Sequence, residues 1–263
     1  MLITFLSDFG TKDEWVSSCK GIIKSIAEQS EIIDITHDIE SFNVVVGAMI
    51  LSRASSNYKP CVHLAIVDPG VGTRRDPIAI ETETGHIFVG PDNGLLTLAA
   101  ENFGIKNVVK ITNEKVFNKP VSTTFHARDI FAPAAAYLSL GKPLSYLGEV
   151  RDKNAIKTLA ISFASFKQKV LEAQVIEVDK FGSLRLNIQK EEFQRYIKPA
   201  QSVHLKSKYF ETSAPYVEAF GDIKAGEIGL IIDSSDLATI FVNRANASTK
   251  LGLKTGSKIT VAF

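Results

Sequence analysis

The chain contains a seven-residue, almost wholly apolar run, Cys61–Val67, which stops abruptly at Asp68-Pro69-Gly70. A run of this length without polar alternation indicates a strand that is buried on both faces, and such strands belong to parallel sheets covered by helices. Strand-like and helix-like segments alternate around it, from the N-terminus to about residue 140. This alternation predicts an α/β domain with a largely parallel central sheet.

The individual elements of this domain follow from residue spacing. Apolar residues from Trp15 to Ile26 recur at the interval of one helical face, whereas the β-rich runs are short. The predicted strands are Leu2–Ser7, Glu31–Thr36, Cys61–Val67, Pro77–Ile80 and His86–Val89. The predicted helices are Trp15–Ile26, Phe42–Leu51, Leu95–Glu101 and Asp129–Leu140, the last with Pro133 in its first turn.

The pattern changes after Glu149. Arg151–Thr158 is polar and rich in lysine, which favours a linker, and from about Val170 onward the sequence has short strand candidates and almost no helical period. The predicted strands are Val175–Val178, Leu184–Ile188, Ser202–Leu205, Ile228–Ile232, Thr239–Val242 and Lys258–Ala262. We therefore expect an α/β domain over residues 1–160 and a smaller all-β domain over residues 161–263.

Charge and composition exclude several classes of protein. The chain has 30 lysines and arginines against 29 aspartates and glutamates, so no basic field is available to hold a nucleic acid. No apolar run is long enough to span a bilayer, and the first residues lack a basic leader. We therefore expect neither a nucleic-acid nor a membrane partner. Cys19 and Cys61 cannot form a disulfide framework, so we expect free thiols and a cytoplasmic location.

Acidic loops follow several of the predicted strands. Asp8-Phe9-Gly10, Asp68-Pro69-Gly70 and Asp92-Asn93-Gly94 are three of them, and a fourth polar loop, Ser122–Asp129, opens a helix. Any one of these aspartates could be a simple turn or N-cap residue. In an open α/β sheet, however, ligands bind beyond the carboxyl ends of the strands. Four such loops at one edge therefore predict a binding site there.

Common site motifs do not account for these loops. Val67–Thr73 resembles a phosphate-binding loop, but no Gly-Lys-Ser/Thr follows it, and no Gly-x-Gly-x-x-Gly follows the first strand. No Gly-x-Ser-x-Gly nucleophile elbow is present either. The histidines are scattered without ligand spacing, so no metal is expected, and His63 and His86 are interpreted as hydrogen-bonded structural residues.

Seven ordered segments resemble the S-adenosylmethionine hydroxide adenosyltransferase family, which is related to the bacterial fluorinase and chlorinase. The similarity extends over nearly the whole chain. The segments are Ser7–Asp13, Val67–Arg75, Val89–Leu95, Thr124–Pro133, Asp179–Gly182 and Asp233–Ser235, followed by Asn243–Ala247.

The resemblance implies an N-terminal α/β domain, a C-terminal β-barrel and a homotrimer. It implies that the substrate, S-adenosyl-L-methionine, lies between the N-terminal domain of one subunit and the C-terminal domain of the next, and that no further cofactor is needed. The implied catalytic set is Asp68, Arg75 and His126. The implied substrate-binding residues are Asp8, at the ribose hydroxyls, Asp13, Asn93, Thr124, Phe125, Asp179, Phe181, Ser183, Ser234, Asn243 and Ala245.

Among the activities of this family, the sequence favours hydrolysis. The halogenating relatives carry tyrosine at the position of His126, serine at that of Ala127 and no Asp68–Arg75 pair. Methionine leaves a sulfonium as a neutral thioether, so the protein needs only to deliver a water to C5′ of the ribose in line with the C–S bond. We expect adenosine and L-methionine as products. The alternatives are a halide-dependent adenosyltransferase and a non-catalytic protein that binds S-adenosylmethionine or adenosine.

Overall fold

The structure, a computed structural model, describes residues 1–167 and 169–263. The chain forms two compact units, Met1–Ala160 and Ile161–Phe263. No helix among the described residues is long and apolar enough to cross a bilayer.

In unit 1, every residue of which is described, seven strands form one sheet in the order β2-β1-β3-β5-β4-β6-β7. The strands are β1 (Ile3–Ser7), β2 (Ile32–Thr36), β3 (Val62–Ile66), β4 (Pro77–Thr82), β5 (Ile87–Pro91), β6 (Ile105–Ile111) and β7 (Gly148–Arg151). The helices are α1 (Trp15–Ile26), α2 (Val44–Ser55), α3 (Thr97–Asn102) and α4 (Ala132–Ser139), the last preceded by a wide π-helical turn, Ala127–Phe131.

The apolar run in β3 is buried on both faces, as its sequence predicts. Leu64 and Ile66 face a core that includes residues of α1 and α4, whereas Ala65 packs into a second core with residues of α2 and α3. The helices thus cover both sides of the sheet. Pro133 lies in the first turn of α4, also as predicted.

The expectation of a largely parallel sheet is correct for only one half of it. Strands β2, β1, β3 and β5 pair in parallel, whereas β4, β6 and β7 are attached through antiparallel pairings. Strands β6 and β7 are absent from the sequence-based prediction. The reason is visible in β6, where Lys106 and Asn107 are exposed and interrupt the apolar pattern of an edge region.

The segment predicted as a linker, Arg151–Thr158, instead belongs to unit 1. Arg151 ends β7 and forms ion pairs with Asp76 and with Asp92, the latter at 3.1 Å between Nη2 and Oδ2. The backbone N–H of Lys157 donates to Asp92 Oδ1 over 2.8 Å. The polar residues of this segment therefore make specific contacts with unit 1 residues. Composition alone does not show whether polar residues make such contacts or are only solvated.

In the described part of unit 2, seven strands form an all-antiparallel sheet in the order β11-β10-β14-β8-β9-β13-β12. A bridge between Tyr216 and Leu230 links the two outer strands, so the sheet is nearly closed into a barrel. The strands are β8 (Val170–Val178), β9 (Leu184–Gln189), β10 (Ser202–Lys206), β11 (Glu211–Pro215), β12 (Ile228–Ile232), β13 (Leu237–Val242) and β14 (Lys258–Ala262).

Two short helices in unit 2, α5 (Lys190–Tyr196) and α6 (Ala247–Leu251), are absent from the sequence-based prediction. They have seven and five residues, which is too short for a helical period to be recognised. The fully buried Phe193 anchors α5 to the barrel core.

A buried polar cluster lies near the start of β3 and β5. His63 Nδ1 is 2.7 Å from Thr4 Oγ1, and His63 Nε2 is 2.9 Å from His86 Nδ1. Cys61 Sγ lies 3.5 Å from His63 Nε2. Two nitrogens on a tetrahedral zinc would stand roughly 3.3 Å apart. The observed spacing is that of an N–H···N hydrogen bond, in agreement with the structural role predicted for both histidines.

This cluster predicts acid sensitivity. Burial, with the neighbouring His86, lowers the pKa of His63 from 6.5 to about 3. Between about pH 6.5 and pH 3, His63 is therefore protonated in the unfolded chain but neutral in the folded chain. The free energy of unfolding falls as the pH drops through this range. The slope from one such group is about 1.4 kcal/mol per pH unit.

The measurement is urea unfolding between pH 6 and 4.5 for the wild type and for His63→Asn. We expect the variant to be less stable at pH 7 but to have a shallower dependence on pH, by about one proton. Equal slopes in the two proteins would contradict the assignment of this acid sensitivity to His63.

Candidate active site

The first candidate site lies where β1 and β3 end. These neighbouring parallel strands place Asp8 and Asp68 at the same edge of the sheet, as the acidic loops predict. A cavity of about 270 Å³ opens there. It is lined by Asp8, Phe9, Trp15, Ser41, Phe42, Ile66, Asp68, Val71, Thr124, Phe125, His126 and Ala127.

Asp68, Arg75 and His126 form one connected group at this cavity. Both carboxylate oxygens of Asp68 accept from the Arg75 guanidinium, with Nε at 3.1 Å from Oδ1 and Nη2 close to Oδ2. The two side chains are each only 7% exposed, and the guanidinium lies over the ring of Phe131. Arg75 Nη2 is also 3.3 Å from His126 Nδ1. The structure thus brings together the three residues of the predicted catalytic set.

The neighbour of His126 determines which ring nitrogen carries the proton. Because a guanidinium only donates, Nδ1 must accept from Arg75, and in the neutral ring the proton is therefore on Nε2. Burial, assisted by the positive charge of Arg75, lowers the pKa of His126. The imidazole is therefore neutral at physiological pH and can donate a hydrogen bond through Nε2.

The loop that carries His126 is held by two contacts. Gly72 has a φ of +74°, and a Cβ at this position would lie 2.3 Å from the carbonyl oxygen of Thr123, so only glycine allows the two loops to approach. The fully buried Asp129 accepts from the backbone N–H of Ser122 at 2.9 Å and from the side chain of Asn118 at 2.8 Å. These bonds fix both ends of the loop.

Asp8 also lines this cavity. Its Oδ2 accepts from the backbone N–H of Phe42 over 2.9 Å, and Phe42 adopts a φ of +68°, which is uncommon for a bulky residue. Burial raises the pKa of Asp8, and the nearby charge of Asp68 adds to this effect. A carboxylate can also accept hydrogen bonds from a ligand with paired hydroxyls.

The remaining N-terminal predictions divide into two groups. Thr124 and Phe125 line the cavity, whereas Asn93 and Asp13 are not among its lining residues. Asn93 uses its side chain within the fold, donating to the Val67 carbonyl at 2.8 Å and accepting from the Leu95 N–H at 3.1 Å. It therefore braces the end of β3 just before Asp68. Asp13 is exposed at the start of α1.

A second cavity, of about 560 Å³, lies in unit 2. It is lined by Asp179, Phe181, Ser183, Phe220, Phe241, Val242, Asn243, Arg244, Ala245 and Asn246. Five of the six residues predicted in this part of the chain are among them. The sixth, Ser234, is exposed and does not belong to the described lining.

The loop between β8 and β9 shapes this second cavity. Asp179 Oδ1 accepts from the backbone N–H groups of Phe181 and Ser183, at 2.9 and 2.8 Å. Gly182 has a φ of +85°, and a Cβ there would overlap the side chain of Asn246. The tight turn leaves the ring of Phe181 78% exposed at the border of this cavity.

The sequence-based prediction omits several lining residues. Phe9, Trp15 and Phe42 surround the first cavity, and Phe220 and Arg244 border the second. Phe9 and Arg244 stand inside segments that resemble the family, so the motifs themselves could have indicated them. Phe42 has no such signal, because its place depends on a loop conformation with positive φ.

The chain is similar to known proteins over nearly its full length. The SAM hydroxide adenosyltransferase N-terminal domain model matches residues 3–148, and the corresponding C-terminal domain model matches residues 173–260. The chain is 35% identical to the (R)-S-adenosyl-L-methionine hydrolase of Salinispora tropica over 261 residues, covering 98% of this chain and 97% of that protein. It is 26% identical to the fluorinase of an Actinoplanes species, covering 99% and 97% of the two chains.

A solved structure is also similar over the full length. An uncharacterized conserved protein from Thermotoga maritima superposes with a TM-score of 0.92 at 38% identity, covering 99% of this chain and 100% of that one. The two family models together span all the residues that line both cavities. The chain therefore belongs to the SAM hydroxide adenosyltransferase family.

Proposed function

We propose that this protein hydrolyses S-adenosyl-L-methionine to adenosine and L-methionine by attack of water on C5′ of the ribose. The observation that carries the proposal is the connected group of Asp68, Arg75 and His126 at the cavity that Asp8 also lines. A protein that only bound the substrate would not need such a group. The similarity to proteins named (R)-S-adenosyl-L-methionine hydrolase supports the same reaction.

In this mechanism the water is held between a donor and an acceptor. His126 donates from Nε2 to the water oxygen, and a free lone pair of the Asp68 carboxylate accepts one of the water hydrogens. The remaining lone pair of the oxygen then points toward C5′. Arg75 keeps Asp68 in place and fixes the tautomer of His126. The cavity walls, which include Phe9 and Phe125, exclude competing water.

Proton transfer in this reaction demands little of the base. Attack of neutral water forms the C5′–O bond while the C5′–S bond breaks, and the electron pair of that bond leaves with methionine as a neutral thioether. The oxygen is then positively charged and strongly acidic, so a carboxylate such as that of Asp68 can take its proton. No general acid is required for the leaving group.

Substrate binding uses both cavities in this proposal. Asp8 accepts hydrogen bonds from the ribose diol, with Asn93, Thr124 and Phe125 nearby and Asp13 toward the methionine end. Asp179, Phe181, Ser183, Ser234, Asn243 and Ala245 contribute adenine and amino-acid contacts.

We propose that the two sets come from neighbouring subunits of a homotrimer. The presence of one cavity in each unit, each lined by residues predicted to bind the substrate, supports this arrangement. The free thiols of Cys19 and Cys61 support a cytoplasmic location.

A chromatogram of the products tests the reaction. Incubation with S-adenosylmethionine should yield adenosine and methionine in equal amounts, with the same yield in chloride-free buffer. A product that requires chloride, 5′-chloro-5′-deoxyadenosine, would favour the halide-dependent alternative. Unchanged substrate, bound but not consumed, would favour a non-catalytic binding protein.

A further inference from the structure

A buried histidine, His37, contacts the loop Ser7–Gly10, which carries Asp8, but does not line the cavity. His37 directly follows β2, and Ser7 is the last residue of β1, so the parallel pairing of these strands places them side by side. Both are buried, with exposed fractions of 6% for His37 and 0% for Ser7.

His37 holds the Asp8 loop through both its side chain and its backbone. Its Nδ1 is 2.7 Å from Ser7 Oγ, which in turn accepts from the backbone N–H of Phe9 at 3.3 Å. Its carbonyl oxygen accepts from the backbone N–H of Gly10 at 2.7 Å. Asp8 therefore stands within a four-residue segment that His37 contacts on both sides.

The charges around the ring determine its tautomer. Nε2 lies 3.2 Å from Asp34 Oδ1, although too obliquely for a regular hydrogen bond, and Lys20 pairs with the other oxygen of Asp34. A carboxylate favours a proton on Nε2, which leaves Nδ1 to accept from the Ser7 hydroxyl. Donors and acceptors then alternate without conflict from Phe9 N–H through Ser7 to His37.

We propose that His37 is a positioning residue that, through Ser7, sets the Asp8 carboxylate for the ribose hydroxyls of the substrate. This inference rests on the proposed function of Asp8. The order Ser7, His37, Asp34 looks like a nucleophilic triad, but a fully buried serine hydroxyl cannot reach a substrate. Its hydroxyl instead links the histidine to the loop.

Replacing His37 by asparagine or by glutamine distinguishes the roles of its two ring nitrogens. The side-chain oxygen of asparagine reaches the place of Nδ1 and can still accept from Ser7, whereas the longer glutamine reaches only toward Nε2. Ser7→Ala removes the link from the other side. His86→Gln is a matched control, because His86 is also buried and hydrogen-bonded, in the same unit.

The probes are adenosine and 2′,3′-dideoxyadenosine, and their affinities for the full chain are measured by calorimetry. We expect the wild type, His37→Asn and His86→Gln to prefer adenosine by about tenfold or more. In His37→Gln and Ser7→Ala, adenosine should bind about tenfold more weakly while dideoxyadenosine binding is unchanged. With S-adenosylmethionine, these two variants should raise KM about tenfold and alter kcat by less than about threefold.

Three results would overturn the inference. Equal weakening of both nucleosides would assign His37 to general structure, and an unchanged preference in His37→Gln and Ser7→Ala would remove its link to Asp8. A wild type that hydrolyses S-adenosylmethionine but binds both nucleosides equally would refute the ribose role of Asp8. That last result would leave the proposed reaction intact, whereas a wild type that prefers adenosine but forms no product would refute the reaction alone.

Discussion

His126→Ala is expected to lower the turnover of S-adenosylmethionine by about 10²–10³-fold while substrate affinity stays close to that of the wild type. The reason is that His126 orients the attacking water, whereas the proposed ribose, adenine and methionine contacts lie on other residues. Calorimetry for affinity, together with a turnover assay, separates the two effects. If affinity and thermal stability fell together with little loss of turnover per bound substrate, His126 would only support its loop.

His126→Gln refines this test. The amide N–H of glutamine can replace the Nε2 donor but cannot act as a base, so we expect turnover within about tenfold of the wild type. A loss as large as that of His126→Ala would instead make the imidazole the proton acceptor. Asp68→Asn is less informative alone, because it leaves Arg75 buried without its partner carboxylate, at a cost of about 3–5 kcal/mol in stability.

Mixing two inactive variants is expected to restore activity. Asp8→Ala removes a proposed contact of the first cavity, and Asp179→Ala removes one of the second. If neighbouring subunits share each site, random trimers of the two chains contain intact pairs at about one quarter of their sites. The mixture, unfolded and refolded together, should therefore show about a quarter of wild-type turnover.

The control for this experiment is to combine the two variants after separate refolding, without exchange of subunits. That sample should remain inactive. Activity no higher than in the separate variants after co-refolding would contradict a shared site and would place all substrate contacts within one chain.

Much of the fold could be predicted because its signals are local. The apolar run of β3, the helical spacing in α1 and the turn residues that end the strands each depend on neighbours in sequence. The candidate site could be predicted in outline for the same reason. Asp8 and Asp68 directly follow parallel strands, and such strands bring their carboxyl ends to one edge.

The features that escaped prediction depend on contacts between distant parts of the chain. Strand β6 exposes polar residues at the edge of the apolar pattern, so it is defined by its partners and not by its own sequence. The hydrogen bond between His37 and Ser7 joins residues 30 positions apart, and neither segment contains a sequence pattern that predicts it. Asn93 was expected at the substrate, yet its amide braces Val67, which only the structure reveals. Its predicted contact with substrate stays a prediction.

Incubation of the protein with S-adenosylmethionine in ¹⁸O-labelled water tests the central claim most directly. Because water is the nucleophile and C5′ is the carbon attacked, mass spectrometry should find one ¹⁸O atom in adenosine, on the 5′ oxygen, and none in methionine. Adenosine without the label, or 5′-methylthioadenosine as the product, would contradict hydrolysis at C5′.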